Sequence, residues 1–247
     1  MVAAVTRMVA DGATRVSLNV SERRLEPGVP PCRFRCVRPL SVLVMAKSPL
    51  PGVAKTRLCP PCTPEEAASI AQAALCDTLE AALGCGHRVI LALAGPPGPW
   101  LPDGVVVVAQ VAGTFNERLD AAWSHLPAGG VQIGMDTPQC TAELLERALM
   151  AVNDAGSALG PTTDGGWWLL GLDRPTPSMF DAIAMSTPTT GAAQLLRLQA
   201  LGFEPVILPA LTDIDTWSTA CEVAAITPGS RTAKAVERTS VISAALR

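Results

Sequence analysis

Three cationic side chains lie within eleven residues near position 50. They are Lys47, Lys55 and Arg57, and the chain has only three lysines in total. The same segment contains Gly52 and two prolines, which limit the freedom of a loop. Cationic side chains and free loop amides are the groups that bind a di- or triphosphate. The segment is therefore a candidate phosphate-binding loop, with a solvated surface loop as the alternative.

A phosphate loop of the NTPase type does not explain this segment. Gly52-x-x-Lys55-Thr56 has a superficial likeness to it. That loop, however, has a Gly directly before its Lys, and its Lys-Thr pair opens a helix. Here Ala54 precedes Lys55, and the next helix cap is predicted at Thr63. An NTPase of that class is therefore disfavoured.

Carboxylates follow two of the predicted strands. Asp136 comes directly after the apolar run 131–135, and Asp213 and Asp215 follow the last predicted strand on one side of an extended segment. Mg²⁺ prefers one or two carboxylates together with substrate phosphates. We therefore predict a metal ligand at Asp136 and a second at Asp213 or Asp215. The alternative for Asp136 and for Asp215 is a helix N-cap.

The segment Asp164-Gly165-Gly166 is a further candidate. Two glycines after a carboxylate let the backbone approach a ligand closely, and free amides there can bind an anion or a sugar hydroxyl. A tight hairpin turn explains the same residues. Arg118 falls in the first turn of a predicted helix, where it either reaches a phosphate or lies on the surface.

The eight cysteines form no recognisable framework. Cys59 and Cys62 have the CxxC spacing, but there is no second CxxC, and the two prolines between them favour a loop. Zinc binding and redox chemistry are therefore disfavoured. The chain shows no signal-peptide pattern, and no apolar run approaches the ~18–20 residues of a membrane span, so we expect a cytoplasmic protein without a membrane span.

Composition and charge exclude further classes. Of 247 residues, 49% are hydrophobic and 17% are charged, which excludes a disordered or fibrous chain. The net charge of −3 is unevenly spread: residues 1–38 are net +4, residues 230–247 are net +3, and residues 39–229 carry eight basic and eighteen acidic side chains, about −10. Such an acidic domain is poorly suited to bind nucleic acid through phosphates.

Strands and helices alternate after residue 40. Apolar and β-branched runs predict strands at 41–46, 88–94, 105–111, 131–135, 167–172 and 204–208. Predicted helices, the first opened by a Thr63–Glu66 capping box, cover 64–83, 116–126, 142–153, 190–202 and a short segment after 216.

This alternation predicts an α/β fold with three α/β/α layers and a mostly parallel sheet. In such sheets ligands bind beyond the carboxyl ends of the strands. We assign 39–229 to one domain, 1–38 to a poorly patterned basic extension and 230–247 to a basic C-terminal tail.

Five motifs occur in order along about residues 41–225. They are Lys47-x-Pro49-x-Pro51-Gly52-x-x-Lys55-Thr56-Arg57-Leu58, Gly113 to Arg118, Gly134-x-Asp136-x-Pro138, Gly160-Pro161-x-x-Asp164-Gly165-Gly166 and Asp213-Ile214-Asp215-Thr216. Together they resemble the radical SAM/selenodomain-associated transferases, a family of small bacterial proteins commonly described as glycosyltransferases. One departure is Trp167-Trp168, where that family usually has Tyr.

The resemblance implies a Rossmann-like GT-A fold, that of the nucleotide-diphospho-sugar transferases. It implies Asp136 and Asp215 as ligands of Mg²⁺ or Mn²⁺. Nucleotide and phosphate binding is expected at Ala46, Lys47, Ser48, Gly52, Lys55, Thr56, Arg57 and Arg118. Acceptor binding is expected at Thr163, Asp164, Gly165, Gly166 and Trp167. Catalytic roles are expected at Lys55, Arg57 and Asp164.

Three functions are compatible with these residues. The resemblance implies a metal-dependent glycosyl transfer from a nucleotide sugar to a small acceptor. The three cations of the first loop favour instead a nucleotidyl transfer, in which an NTP passes its NMP to a small phosphorylated or anionic acceptor and pyrophosphate is released. The third function is non-catalytic nucleotide binding. The presence of both carboxylates and all three cations argues mildly against that third function.

Overall fold

Strands and helices alternate in the structure, as the sequence predicts. The computed structural model describes residues 39–245, with side chains through 241. The predicted extension at 1–38 lies outside these residues. The elements are β1 (Ser41–Lys47), α1 (Pro64–Gly84), β2 (Arg88–Ala94), β3 (Val105–Ala109), α2 (Phe115–Trp123), β4 (Gly130–Gly134), α3 (Ala142–Ala155), β5 (Ser157–Pro161), β6 (Trp167–Leu172), α4 (Thr190–Ala200), β7 (Val206–Ile207), α5 (Trp217–Ile226) and α6 (Arg231–Ala245). A 3-10 turn, Thr56–Leu58, lies between β1 and α1.

Seven strands form one sheet in the order β3-β2-β1-β4-β6-β5-β7. β1 pairs in parallel with β2 and β4, β2 with β3, and β5 with β7. Within this described sheet, β6 alone is antiparallel, to both β4 and β5. The predicted mostly parallel sheet is therefore confirmed. The parallel strands all end at one edge of the sheet, and β6 begins there.

Alternate residues of β1 pack on opposite faces of the sheet. Val42 and Val44 join an apolar cluster with α1 and α3, whereas Leu43 and Met45 join a second cluster with α2 and α4. All four side chains are buried, as expected for a central parallel strand covered on both faces. The three-layer α/β/α arrangement follows from this alternation.

The starts of several helices match the predicted caps. Thr63 forms the predicted capping box at α1, and the hydroxyl oxygens of Thr141 and Thr216 cap α3 and α5. Asp136 and Asp215 therefore do not act as N-caps, and their carboxylates are available for other interactions. None of the described helices combines the length and the hydrophobicity that a membrane crossing requires.

Helix α6 extends the domain beyond its predicted end. Val236 of α6 is buried in an apolar cluster with residues of α1 and α5. At the start of α6, Arg231 pairs with Asp77 and Glu80 of α1. The segment interpreted as a basic tail, 230–247, thus contains a helix that packs on the described domain.

Candidate functional site

A cavity of about 640 Å³ lies at the edge where the parallel strands end. Its lining includes Lys47 at the end of β1, Gln110 just after β3 and Asp136 just after β4. A further part of its wall is formed by residues 185–188, before α4. This is the edge at which ligands bind in sheets of this kind.

The ammonium of Lys55 lies between two carboxylates in this cavity. Its Nζ is 2.8 Å from Asp136 Oδ1 and 3.1 Å from Asp215 Oδ1. The side chain of Lys55 is 9% exposed, and those of Asp136 and Asp215 are 38% and 39% exposed. Arg57, which is largely exposed, reaches the other oxygen, Asp215 Oδ2, at 3.3 Å. The two carboxylates predicted as metal ligands therefore converge on one cationic centre.

Hydrogen bonds of the backbone, to other backbone groups and to side chains, hold the segments that carry these two carboxylates. The N–H of Ile214 donates to the carbonyl oxygen of Asp136 at 2.9 Å, which places the 213–215 segment beside the end of β4. The N–H of Asp215 donates to Thr219 Oγ1 at 3.0 Å. Gln139 Nε2 donates to the carbonyl oxygen of Thr212 at 2.7 Å and ties the same two segments.

Lys55 carries its charge despite its burial. Burial alone lowers the pKa of a lysine, but the neighbouring carboxylates of Asp136 and Asp215 outweigh that effect and raise the pKa of Lys55 above its ordinary value. Its backbone has the left-handed conformation, with φ 53°, and its carbonyl oxygen accepts from the N–H of Leu58 at 3.0 Å. The loop therefore fixes the backbone of Lys55 at the start of the 3-10 turn.

Asp213 lines the cavity beside these groups but has a different electrostatic environment. Burial, and then the negative charges of Asp136 and Asp164, raise its pKa to about 7, and the charge of Lys55 opposes this only in part. The sequence left Asp213 and Asp215 as alternatives for the second carboxylate. In the structure, Asp215 is the one that contacts Lys55.

The β5–β6 turn holds the carboxylate of Asp164. Its Oδ1 accepts from Thr162 Oγ1 at 2.5 Å and from the N–H of Gly166 at 3.0 Å. Gly165 has φ +91°, and a Cβ atom there would collide with the backbone oxygen of Pro188. Asp164, Gly166 and the half-buried Trp167 line the cavity. The hairpin-turn interpretation is correct, and the turn also faces the cavity.

Arg118 is held at another part of the cavity wall. Its Nη1 donates to Gln110 Oε1 at 3.2 Å, and its guanidinium lies 5.1 Å from the centre of the Phe115 ring. Gln110 is itself fixed, because its Nε2 donates to the carbonyl oxygens of Ala46 and Ala92 at 2.9 and 2.8 Å. Arg118 therefore lines the site rather than the general surface.

The cavity brings together most of the predicted site residues. Those that line it are Ala46, Lys47, Lys55, Arg57, Arg118, Asp136, Asp164, Gly166, Trp167 and Asp215.

Five predicted residues lie near the cavity without lining it. They are Ser48, Gly52, Thr56, Thr163 and Gly165. Ser48 is buried and donates its hydroxyl to the carbonyl oxygen of Pro96 at 2.6 Å, and the N–H of Thr163 donates to the carbonyl oxygen of Leu211 at 2.9 Å. Both residues thus hold loops in place.

Sequence reasoning missed the wall formed by Gln110 and residues 185–188. Their types and spacing give no chemical signal, and Gln110 falls inside the predicted strand 105–111, although β3 ends at Ala109. Within residues 39–241, no group of three His, Cys, Asp or Glu side chains is arranged to hold a metal ion.

Comparisons with known structures support the fold. A "putative nucleotide-diphospho-sugar transferase" from Desulfovibrio desulfuricans G20 has a TM-score of 0.74 and 22% identity, covering 83% of this chain and 97% of that one. Rv0371c from Mycobacterium tuberculosis H37Rv has a TM-score of 0.50 and 17% identity, covering 74% and 97%. The predicted nucleotide-diphospho-sugar transferase fold is therefore confirmed. No curated protein matches the chain in sequence. Residues 67–187 match the family described as "uncharacterized protein conserved in bacteria (DUF2064)".

Proposed function

We propose that this chain is a metal-dependent transferase that uses an activated nucleotide, and that it transfers a glycosyl group from a nucleotide sugar to a small acceptor. The observation that carries the proposal is the convergence of Asp136 and Asp215 on one cationic centre, at 2.8 and 3.1 Å, inside a cavity at the ligand-binding edge of the sheet. The fold shared with the Desulfovibrio protein supports it. So does the resemblance of the five motifs to the radical SAM/selenodomain-associated transferases.

The donor set fits Mg²⁺ or Mn²⁺. The oxygens of Asp136 and Asp215 already face a single positive charge, since the ammonium of Lys55 lies 2.8 Å from Asp136 Oδ1 and 3.1 Å from Asp215 Oδ1. Hard oxygen ligands of this kind suit either ion, with substrate phosphates completing the shell. A bound ion would offset the negative charge that develops on the leaving diphosphate.

The cations of the first loop bind the phosphates in this proposal. All three line the cavity: Lys47 is the last residue of β1, and Lys55 and Arg57 lie in the loop that follows it. Donors that are fixed before the reaction stabilise a leaving phosphate more effectively than mobile ones. The backbone of Lys55 is fixed in this way by the 3-10 turn.

Asp164 receives the acceptor's proton in this proposal. Thr162 and Gly166 both donate to Oδ1 of its carboxylate, so Oδ2 keeps its capacity to take a proton. The acceptor hydroxyl oxygen bonds to the anomeric carbon as the bond from that carbon to the phosphate oxygen breaks. The proton passes to Asp164, and a nucleoside diphosphate leaves.

The clustering of cations favours one second candidate, a nucleotidyl transfer. Arg118 lines the same cavity as the three cations of the first loop, which provides enough positive charge for a triphosphate. In that reaction an anionic acceptor attacks the α-phosphorus and pyrophosphate leaves. The two reactions are distinguished by the product that is released.

A thermal-shift screen followed by product analysis tests the proposal. Nucleotide sugars and NTPs are added with Mg²⁺, with Mn²⁺ or with EDTA, since a ligand that binds the folded state stabilises it by mass action. We expect a metal-dependent shift with a nucleotide sugar, release of nucleoside diphosphate on turnover, and loss of both in Asp136→Asn. Asp103→Asn, at an exposed turn, is the matched control. A response to NTPs alone, with pyrophosphate release, would establish nucleotidyl transfer instead, and an equal response in EDTA would exclude the metal site.

A further inference from the structure

We propose that Lys55 is an internal counter-ion, which occupies the place of the divalent ion between Asp136 and Asp215 until a nucleotide phosphate draws its side chain away. This inference rests on the proposed function, because it concerns the order in which the ion and the nucleotide enter the same site. It predicts that the ion binds weakly to the empty protein and tightly together with the nucleotide.

The ammonium of Lys55 occupies the place of a bridging cation. Lys55 Nζ makes its closest ion pairs with one oxygen from each carboxylate, Asp136 Oδ1 and Asp215 Oδ1, at 2.8 and 3.1 Å. An ion of the size of Mg²⁺ would contact these same oxygens at about 2.0–2.1 Å. Both cations cannot lie between the same two oxygens, because they would overlap and repel each other.

The charge balance of the site also depends on Lys55. Without an ion, two carboxylates face each other at a cavity wall, and the ammonium of Lys55 offsets their repulsion. The ammonium lies 2.8 Å from Asp136 Oδ1 and 3.1 Å from Asp215 Oδ1, so one positive charge is shared by both carboxylates. Adding a divalent ion while Lys55 stays in place would therefore bring like charges together in a partly desolvated site.

The side chain of Lys55 can leave this position while its backbone stays in place. The 3-10 turn fixes the backbone, since the N–H of Leu58 donates to the carbonyl oxygen of Lys55 at 3.0 Å. The four-carbon side chain can still rotate within the cavity that it lines. Arg57 contacts only Asp215 Oδ2 and is 73% exposed, so it leaves the two facing oxygens to Lys55.

The coupling that follows is reciprocal. If a phosphate group attracts Lys55 away from the carboxylates, that phosphate raises the affinity for the ion, and the ion raises the affinity for the phosphate by the same factor. A site of this kind holds little free metal and assembles only with its nucleotide present.

The experiment measures Mn²⁺ binding to the protein alone, by the electron paramagnetic resonance signal of free Mn²⁺. Wild type is compared with Lys55→Met, and Lys47→Met is the matched control, because Lys47 lines the same cavity but makes no ion pair with Asp136 or Asp215. We expect Lys55→Met to bind Mn²⁺ about tenfold more tightly than wild type or more, within the usual range of such couplings. Lys47→Met should stay within about twofold of wild type, and adding Asp136→Asn to Lys55→Met should abolish the gain.

Unchanged or weaker Mn²⁺ binding in Lys55→Met would overturn the proposal, and so would an equal gain in Lys47→Met. If Lys55→Met does not fold, Mn²⁺ binding is measured on Lys55→Gln instead, because its neutral amide can still donate a hydrogen bond to a carboxylate. The nucleotide screen on wild type is an independent test. Tighter Mn²⁺ binding by Lys55→Met, without any response of wild type to nucleotides, would support the counter-ion role of Lys55 and contradict the proposed function.

Discussion

Lys55 Nζ and Asp215 Oδ1 lie 3.1 Å apart although 160 positions separate the two residues in the chain. The contact joins the loop after β1 to the segment before α5, across the end of β4. Lys55 Nζ also lies 2.8 Å from Asp136 Oδ1, so Lys55 is the centre of an ionic cluster with Asp136 and Asp215. Several measurable consequences follow from this cluster and from the surrounding structure.

Removing one carboxylate from the cluster should destabilise the fold. In Asp136→Asn the buried ammonium of Lys55 loses its shortest ion pair. We expect the free energy of unfolding to fall by about 1–3 kcal/mol. A fully buried ion pair would cost more, because Asp136 is partly exposed. Urea unfolding in EDTA measures this. The control is Asp181→Asn, because Asp181 pairs with Arg197 at 3.9 Å on the surface and should cost less than about 0.5 kcal/mol. Equal losses in the two variants would show that the buried ion pair contributes no more stability than the surface pair.

Asp213 should give the stability a specific pH dependence. Its pKa is raised from 3.8 to about 7 in the folded protein, so the fold favours its protonated form. That favourable contribution is complete below about pH 4 and is lost as the pH rises through 7. The side chain of Asp213→Asn stays neutral at every pH. At pH 8 its unfolding free energy should therefore be higher than that of wild type by about 1 kcal/mol or more, after allowance for solvent screening. At pH 4 the two proteins should differ little.

Urea unfolding of Asp213→Asn and wild type at several pH values in EDTA checks this. For Asp103→Asn, at an exposed turn, the difference from wild type in unfolding free energy should change little between pH 4 and 8. A difference between Asp213→Asn and wild type that does not change between pH 4 and 8 would contradict the raised pKa.

The two adjacent glycines of the β5–β6 turn should behave differently. Gly165→Ala forces a side chain into a left-handed backbone conformation and against Pro188, which should lower stability by about 1–3 kcal/mol. In Gly166→Ala the new Cβ would lie 2.8 Å from Thr162 Oγ1 and 3.2 Å from Asp164 Oδ1. These small side chains can shift, so we expect a small stability loss but a transfer rate reduced about tenfold or more, because Asp164 is misplaced.

Melting temperatures and initial rates of the two glycine variants separate these effects. A Gly166→Ala protein with a normal rate would show that the position of Asp164 is not critical.

The packing of α6 predicts a contrast between two valines on that helix. Val236 is 3% exposed and Val241 is 69% exposed. Val236→Asp would bury a charge in the cluster with α1 and should cost about 2–4 kcal/mol, whereas Val241→Asp should change the stability by less than about 0.5 kcal/mol. Thermal or urea unfolding measures both. If Val236→Asp is tolerated as well as Val241→Asp, then α6 is a dispensable addition to the domain.

The sequence predicts the elements that carry strong local signals. The capping box at Thr63 and the apolar run of β1 place those two elements almost to the residue. β5 was not predicted, because Ser157–Pro161 is short and contains both Gly and Pro. Helix α6 was not predicted either, because its charges suggested a tail, although Thr232, Ala233, Ala235, Val236 and Thr239 are buried.

The site was predictable in its parts but not in its arrangement. Asp136 could be placed because a carboxylate directly after an apolar strand must lie at the sheet edge. The position of Lys55 between Asp136 and Asp215 could not be predicted, since it depends on tertiary contacts between distant segments. The wall at 185–188 has no charged residue to mark it and becomes part of the site only through the fold.

The reversed direction of β6 brings a hairpin turn to the edge where the parallel strands end. The ends of parallel strands and the segments that follow them carry Lys47, Lys55, Arg57, Asp136 and Asp215, whereas Asp164 and Trp167 come from that hairpin. A change in the length or sequence of that hairpin would leave the pairing of β1 with β2 and β4 intact. In the proposed transferase, the hairpin can therefore vary with the acceptor while Lys47 and Asp136 keep their places at the ends of β1 and β4. The part of the hairpin that holds the segment before Asp215 must be kept, because the N–H of Thr163 donates to the carbonyl oxygen of Leu211.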